Sequence, residues 1–224
     1  MNCAARGNCV ALPAVPTDPL AEFHDLSLWP HPTCPQGPLR SIMVSGALDA
    51  AGRITVDYLL QGELLRLRLP ALVHAPRRCD ELWRQTCFEI FARRRAAEAY
   101  VEFNFSPSGD WAVYGFDGYR RAPSRPQLAQ PGITLHALGT GQLRIQLRAQ
   151  MPRAPDADER AMAAGAASAA WQLGLAAVIE ADDGSLTYWA AYHPGARPDF
   201  HAPENFCIAL APGGLAAQNR AATP

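Results

Sequence analysis

The sequence contains no lysine, so all 20 of its basic residues are arginine. Without a lysine amine the chain cannot form a Schiff base, anchor pyridoxal phosphate or supply the lysine of a phosphate-binding P-loop. The formal net charge of −1 provides no basic stripe for nucleic-acid phosphates and no attraction to an anionic membrane surface. We therefore expect neither nucleic acid nor a membrane as a partner.

The sequence also lacks long apolar runs and paired cysteine motifs. No stretch reaches the roughly 20 apolar residues of a membrane span, and Pro13 and Pro16 interrupt the apolar residues near the start. The cysteines show neither CxxC nor zinc-type spacing. They are Cys3, Cys9, Cys34, Cys79, Cys87 and Cys207. We expect reduced thiols, no metal site, no signal peptide and a cytoplasmic location.

Short segments in which apolar and polar residues alternate fill most of the chain after Ser41, and this alternation is typical of half-buried β-strands. Clear examples are residues 54–58, 65–69, 101–105 and 143–147. Residues 171–180 are apolar at successive positions, which is typical of a central strand covered on both faces. The pattern predicts an all-β, antiparallel β-sandwich of jelly-roll type, with about ten strands and at most one or two short helices.

The distribution of proline, glycine and alanine predicts the domain boundaries. Residues 1–38 are rich in proline and show no period, so we predict an irregular N-terminal arm. Residues 39–212 would form one β-sandwich domain, and residues 213–224 a disordered tail. Residues 156–170 are rich in alanine, with acidic residues near their start, and they are the candidate for a surface helix.

Two glutamates mark the first candidate site. In the segment LWRQTCFEIF, alternation places Glu89 on the face opposite the large apolar residues. Glu102 and Asn104 occupy the polar face of the segment YVEFNFS, so the two carboxylates could lie on adjacent strands. Such a pair could act as acid and base on a glycoside, or could form an ordinary hydrogen-bonded sheet face.

The second candidate site is the segment YWAAYHPGARPDFH, residues 188–201. Loops carried by a rigid β scaffold are common binding sites, and this one combines aromatic rings, two imidazoles and a carboxylate. Its candidate residues are Tyr188, Trp189, His193, Asp199 and His201. The two histidines lack HExxH-like spacing, and a catalytic triad through Ser106 or Ser108 lacks the GxSxG elbow.

Trp83 and Trp189 each lie beside a predicted loop. Their indole faces could stack on a sugar ring, or they could fill the core, as tryptophans often do. Arg84, Arg120 and Arg121 could clamp a hydroxyl or a carboxylate, or they could form a solvated rim.

Five motifs together resemble bacterial DOMON-like proteins related to family 9 carbohydrate-binding modules. In order, they are LWRQTCFEIF, YVEFNFSPSGDWAVYGFDGYR, LAAVIE, YWAAYHPGARPDFH and ENFCIAL, within residues 39–210. The resemblance implies a β-sandwich that holds a sugar between tryptophans, here Trp83 and Trp189, with Asn104 near a hydroxyl. The histidine-containing late loop departs from those modules. Some DOMON relatives bind haem, but the missing lysine and the few methionines lead us to expect no cofactor.

We therefore expect a non-catalytic domain that binds a carbohydrate or a similarly polar small molecule. The predicted ligand-binding residues are Trp83, Arg84, Glu89, Glu102, Asn104, Tyr188, Trp189, His193, Asp199 and His201. One alternative is a hydrolase-like enzyme in which His193 or His201 is the general base, oriented by Asp199, with Glu89 as its partner. Another is a protein-interaction module whose aromatic loop packs against a second chain.

Overall fold

The computed structural model describes residues 19–95, 97–152 and 170–210, and these form an all-β, antiparallel fold. Its strands are β1 (Pro19–Pro30), β2 (Leu39–Asp49), β3 (Arg53–Gly62), β4 (Cys87–Arg94), β5 (Tyr100–Phe105), β6 (Trp111–Phe116), β7 (Gly132–Ala137), β8 (Gln142–Gln150), β9 (Trp171–Glu180), β10 (Leu186–Ala190) and β11 (Ile208–Leu210). The helical elements in the described ranges are the 3-10 turns Leu64–Arg66, Leu82–Arg84 and Pro203–Asn205. The predicted fold class is confirmed.

Strand β1 joins the two sheets of the sandwich. Most of β1 pairs with β2 in the first sheet, whose order is β1-β2-β3-β8-β7. Its last residues, Trp29 and Pro30, pair with β10 in the second sheet, whose order is β6-β5-β4-β9-β10. β11 pairs with the first residues of β9. The pairing register of β1 shifts between Phe23 and Leu26, where Asp25 adopts a left-handed φ of 52°, and such a bulge bends a strand.

The main core lies between the two sheets and follows the predicted alternation. On β3, Ile54, Val56 and Tyr58 all point inward and are fully buried. The ring of Tyr58 packs on Phe88 of β4 with 5.2 Å between centroids, and its hydroxyl donates to the backbone carbonyl of Glu89 at 2.9 Å. Apolar packing and one buried hydrogen bond therefore hold the two sheets together.

The central strands β4 and β9 of the second sheet are buried on both faces. The late loop, which we define as residues 191–207, packs on the outer face, where its Phe200 and Phe206 join Phe91 in a smaller apolar cluster. A Cβ on Gly174 of β9 would lie 2.9 Å from the carbonyl oxygen of Asn205, so a side chain there would push the loop away. This cover explains why residues 171–180 are apolar at successive positions.

Two predictions about strands are wrong. Residues 19–30 form β1 rather than an irregular arm; Phe23, Leu26 and Leu28 are buried, and the bulge hides their alternation. Residues 65–69 do not form a strand, because the chain crosses there from β3 to the second sheet. Leu65 is fully exposed in a 3-10 turn, and Leu67 makes an isolated bridge to Ala181.

Two predicted segments fall outside the described residues. The candidate helix over residues 156–170 is outside them except for Ala170, and the predicted tail over residues 213–224 is entirely outside them. Across the described ranges, no helix is long and apolar enough to span a membrane.

Candidate binding site

A pocket of about 450 Å³ opens on the outer face of the second sheet. This volume lies within the roughly 300–1,000 Å³ that is typical of small-molecule sites. Its floor is formed by Glu89 of β4, Glu102 of β5 and Val178 of β9. Its walls are formed by Trp83, Tyr114, Phe116, Arg120, Pro123, Tyr188, Pro198, Phe200 and His201.

Strand register brings the two glutamates together. Glu89 pairs with Asn104 and Phe91 pairs with Glu102, so the glutamates occupy diagonal positions on adjacent strands. Diagonal neighbours on one face of a sheet are within reach of long side chains. The structure therefore places both carboxyls on one face, as the alternation predicts.

Glu89 is only 2% exposed. No described residue donates a hydrogen bond to its carboxyl, which faces the pocket. Burial and the nearby Glu102 raise the pKa of Glu89 well above its ordinary value, and the positive charge of Arg120 opposes them only in part. Glu89 therefore keeps its proton at pH values where an exposed glutamate has lost it.

Glu102 has a fixed partner, unlike Glu89. The Asn104 amide donates to Glu102 Oε1 at 2.6 Å, and the Cys87 thiol lies 3.5 Å from Asn104 Oδ1. Burial raises the pKa of Glu102, while the Asn104 bond and the charge of Arg120 lower it. Asn104 is fully buried behind Glu102, so it positions this carboxyl and does not line the pocket.

His201 forms part of the wall next to Glu102. Its Nε2 lies 3.6 Å from Glu102 Oε2, and its Nδ1 lies 2.7 Å from the Tyr100 hydroxyl. That hydroxyl accepts from the backbone N–H of Arg120 at 3.2 Å, so its own proton is free to go to Nδ1. The arrangement favours the neutral tautomer that carries its hydrogen on Nε2, toward Glu102.

Aromatic neighbours surround the His201 ring. Phe91 and Phe116 approach it edge-on, with centroids 5.1 and 5.2 Å away. Burial and then the charge of Arg120 lower the pKa of His201 to about 4, against a smaller opposing effect of Asp199. His201 is therefore uncharged at neutral pH.

Asp199 ties the late loop to the β6–β7 loop, which we define as residues 117–131. Its carboxylate accepts from the Tyr119 hydroxyl at 2.7 Å and from the Arg120 guanidinium at 2.8 Å. It also accepts from the backbone N–H of His201 at 3.2 Å. Arg120 and Ala122 have left-handed φ values of 51° and 49°, a strain of roughly 1–3 kcal/mol each. The structure thus holds this wall in an unusual backbone shape.

Trp83 lies at the mouth of the pocket in the 3-10 turn before β4. It lines the pocket and is 41% exposed, so part of this side chain can be reached by a ligand. Tyr114 stands on β6, directly opposite Glu102 in the β5–β6 register, and its hydroxyl donates to Asp80 at 2.7 Å. The pocket therefore combines open aromatic surface with buried carboxyls.

Trp189 is not part of this site. It is 3% exposed in the core between the sheets, and its indole N–H donates to Thr187 at 2.9 Å. On β10, Thr187 and Trp189 point inward whereas Tyr188 points toward the pocket. Because neighbours on a strand face opposite sides, Tyr188 and Trp189 cannot both reach one ligand. The predicted stacking on Trp189 is therefore wrong.

Besides Trp189 and Asn104, three predicted ligand-binding residues do not line the pocket: Asp199, which braces its wall, Arg84 and His193. Arg84 is largely exposed and pairs with Glu81 at 2.9 Å. His193 lies against Trp29, whose carbonyl is 2.8 Å from its Nε2, and its ring meets His31 edge-on. Burial lowers the pKa of His193. Neither side chain lines the pocket.

The geometry does not assemble the predicted histidine catalyst. His193 is away from the pocket, and Asp199 binds the backbone N–H of His201 and not its ring. Ser106 and Ser108 are buried in the β5–β6 turn, where their hydroxyls bond to each other at 2.9 Å. In the described part of the chain, no group of three or more His, Cys, Asp or Glu residues could hold a metal ion.

Several pocket residues were not among the predicted ligand-binding residues. They are Tyr114, Phe116, Arg120, Pro123, Val178, Pro198 and Phe200. Pro198 and Phe200 do lie within the candidate segment 188–201, and a signal existed for Tyr114 and Phe116, because the turn over residues 107–110 fixes a hairpin that sets them on the face of Glu102. Arg120 was recognised only as a possible clamp, since its position depends on tertiary contacts with Tyr100 and Asp199.

Comparison with known proteins adds one similarity in structure. No protein-family model matches the sequence, and no curated protein matches it. The fold is similar to the crystal structure of a proposed carbohydrate-binding protein from Bacteroides uniformis, with a TM-score of 0.48 and 13% sequence identity. The match covers 80% of this chain and 83% of that one. A similarity this distant does not transfer a ligand, so the function has to be inferred from the pocket itself.

Proposed function

We propose that this protein binds a carbohydrate or a similarly polar small molecule, without catalysis, in the pocket above Glu89 and Glu102. The observation that carries the proposal is the Glu89 carboxyl, which is buried, faces the cavity and has no hydrogen-bond partner among the described residues. The carboxyl oxygens of Glu89 are not among the fully enclosed, unpaired side-chain atoms of the described residues, so they can be reached from the cavity. A ligand hydroxyl placed against Glu89 would give this carboxyl the hydrogen-bond partner that the described residues do not provide.

The aromatic walls suit the apolar faces of such a ligand. Trp83 offers a partly exposed indole, and Tyr188 and Phe200 line the pocket as well. The C–H face of a sugar can pack on such rings while its hydroxyls reach the polar floor. Stacking and hydrogen bonding would thus act on the same ligand.

The polar side chains around the floor are fixed before any ligand binds. Asn104 holds Glu102, and Tyr100 holds the ring of His201. The bond between Asp199 and Arg120 joins the two loops of the wall. A site ordered in advance loses less entropy on binding, which favours recognition of a rigid polar ligand.

The proposal is tested by a thermal-shift screen of glycans and polar metabolites, followed by calorimetry on each ligand found. Trp83→Ala should weaken binding by at least about tenfold, which is 1.4 kcal/mol. Trp29→Ala is the matched control, because Trp29 is 60% exposed and lies outside the pocket. If no ligand depends on Trp83, the proposal is wrong.

A glycoside hydrolase is the second candidate, and the carboxyl pair favours it. Both carboxyls face one pocket and both have raised pKa values, as a general acid requires. Retaining and inverting glycosidases separate their two carboxyls by roughly 5–10 Å. Release of nitrophenol from a panel of aryl glycosides, abolished by Glu89→Gln, would establish this candidate in place of simple binding.

A further inference from the structure

The charged groups of the pocket are mostly acidic. Glu89 and Glu102 form the floor, and Arg120 is the positively charged side chain among the described lining residues. The Arg120 guanidinium is already engaged by Asp199 at 2.8 Å. The floor therefore carries two carboxyls, whereas the positive charge of Arg120 is already paired with Asp199. Among the described residues, no cation lies within bonding distance of Glu89.

The rings around the acidic floor favour the same sign of ligand charge. Trp83, Tyr114, Phe116, Tyr188 and Phe200 all line the cavity. The face of an aromatic ring carries partial negative charge and attracts an ammonium group, by about 0.5–2 kcal/mol for each favourable pair. Rings and carboxyls together form a better environment for a cation than for a neutral hydroxyl.

We propose that the ligand of this pocket carries a protonated amine that binds against the carboxylate of Glu89. This inference rests on the proposed function, because it assumes that the pocket binds a polar small molecule, and it adds the chemical class of the group recognised. The buried, unpartnered carboxyl and the aromatic cavity above it carry the inference. Amino sugars and small aminoalcohols both present this group.

Binding of an ammonium group changes the protonation of Glu89. Because burial and Glu102 raise its pKa, Glu89 keeps its proton in the free protein to a higher pH than an exposed glutamate does, whereas an ion pair with the ligand needs the carboxylate. One O–H bond of the acid therefore breaks, its electron pair stays on the carboxylate, and the proton passes to the solvent. Glu102, Arg120, Tyr58 and Cys87 interact electrostatically with Glu89. The other titratable residues that line the pocket are Tyr114, Tyr188 and His201. Affinity should rise with pH until the ligand amine itself loses its proton.

The test is isothermal titration calorimetry of the full chain in two buffers that differ in ionisation enthalpy. The probes are glucosamine against glucose, galactosamine against galactose, and ethanolamine against ethylene glycol. At least one amine should bind about tenfold more tightly than its neutral partner, and titrations over a range of pH should show release of up to about one proton per ligand where the free protein still holds the Glu89 proton. Equal affinity within every pair, no binding by any amine, or binding without proton release at every pH would overturn the inference.

Glu89→Gln removes the charge and keeps the size of the side chain. This variant should lose the preference for the amine, and its unfolding temperature should match or exceed that of the wild type. Glu63→Gln is the matched control, because the Glu63 side chain is 65% exposed and lies outside the pocket. Tight binding of a neutral sugar that depends on Trp83 would overturn this inference and leave the proposed function in place. Binding that is unaffected by Trp83→Ala and by Glu89→Gln would overturn both.

Discussion

Among single residues, Glu89 affects both the stability of the fold and the chemistry of the pocket. Its carboxyl is buried beside Glu102, so loss of its proton leaves a charge in a poorly solvated place. Because folding raises the pKa of this group, the folded state binds the proton more tightly than the unfolded state. The stabilising contribution is therefore complete at acidic pH and is lost as the pH rises through the raised pKa.

Glu89→Gln should consequently stabilise the protein more at alkaline pH than at acidic pH. We expect the free energy of unfolding to rise by on the order of 1 kcal/mol at about pH 8, with a smaller change at about pH 5. Chemical denaturation of both proteins at the two pH values measures this difference. A gain that does not depend on pH, or a gain equal to that of Glu63→Gln, would contradict the account of Glu89.

His201 should destabilise the fold in acid. Its pKa falls to about 4 in the folded state, against an ordinary value of about 6.5. The unfolded state therefore binds the proton first, and the wild type should lose about 3 kcal/mol as the pH falls from about 6.5 to about 4. His201→Gln should not show this loss, so the difference in stability between the two proteins should shrink in acid. His136→Gln is the control, since His136 is exposed on β7. If the difference in free energy of unfolding between the wild type and His201→Gln does not change with pH, His201 is not a buried, neutral histidine.

Substitutions of Trp83 and Trp189 should distinguish a side chain that binds the ligand from one that stabilises the fold. Trp189→Ala removes a core side chain and should lower the free energy of unfolding by about 3–5 kcal/mol. Trp83→Ala should lower it by less than about 1 kcal/mol, because Trp83 is partly exposed in a surface turn. Urea denaturation of both variants gives the two values. Similar losses in the two variants would show that Trp83 is also part of the core.

Among the elements, the late loop and the β6–β7 loop act together through Asp199. Asp199→Ala removes the bonds to Tyr119, Arg120 and the backbone of His201. Because this carboxylate is partly exposed, the loss in free energy of unfolding should be only about 1–2 kcal/mol. Amide hydrogen exchange should speed up in residues 117–122 and 198–203, and ligand affinity should fall by about tenfold.

The control for this prediction is an exposed ion pair between the β4–β5 turn and the β6–β7 loop. Glu98 lies 3.4 Å from Arg121, and its side chain is 80% exposed. Glu98→Ala should change neither hydrogen exchange nor affinity. If Asp199→Ala behaves in the same way, the two loops are not coupled through Asp199.

The strands also show which local patterns predict structure. The hairpin of β5 and β6 follows from its alternation and from the turn at residues 107–110, where Gly109 takes the φ of 98° that the turn requires. Residues 65–69 alternate equally well but form no strand, since no long neighbouring strand pairs with them there. Alternation therefore predicts which side chains share a face, but the segment joins a sheet only where a neighbouring strand pairs with it.

At the scale of the whole molecule, the two sheets depend on contacts between distant parts of the chain. The buried Tyr58 hydroxyl of β3 donates to the Glu89 carbonyl of β4. Tyr58→Phe should lower the free energy of unfolding by about 1–2 kcal/mol, because that carbonyl loses a buried partner. Ligand affinity should fall by much less than in Trp83→Ala, since Tyr58 does not line the pocket and bonds only the backbone of Glu89. Tyr192→Phe, at an exposed ring, should change neither quantity, and an equal effect of the two substitutions would contradict a role for Tyr58 in joining the sheets.

The pocket as a whole could be predicted only in part. Its floor follows from alternation on β4 and β5, because Glu89 and Glu102 had to share a face. Its walls come from the turn before β4, from β6, from the β6–β7 loop and from the late loop, which the fold brings together across more than a hundred residues. No local pattern predicts which loops will meet above a given face, so the sequence could name Phe200 and Arg120 as candidates but could not place them in one pocket with Glu89.

The central claim is that a polar ligand binds between Trp83 and Glu89. A crystal structure of the protein with a ligand taken from the thermal-shift screen tests it most directly. The account predicts a ligand ring packed on the Trp83 indole, with a donor group within about 3 Å of the Glu89 carboxyl. A ligand bound elsewhere on the molecule, or one in the pocket that touches neither residue, would contradict it.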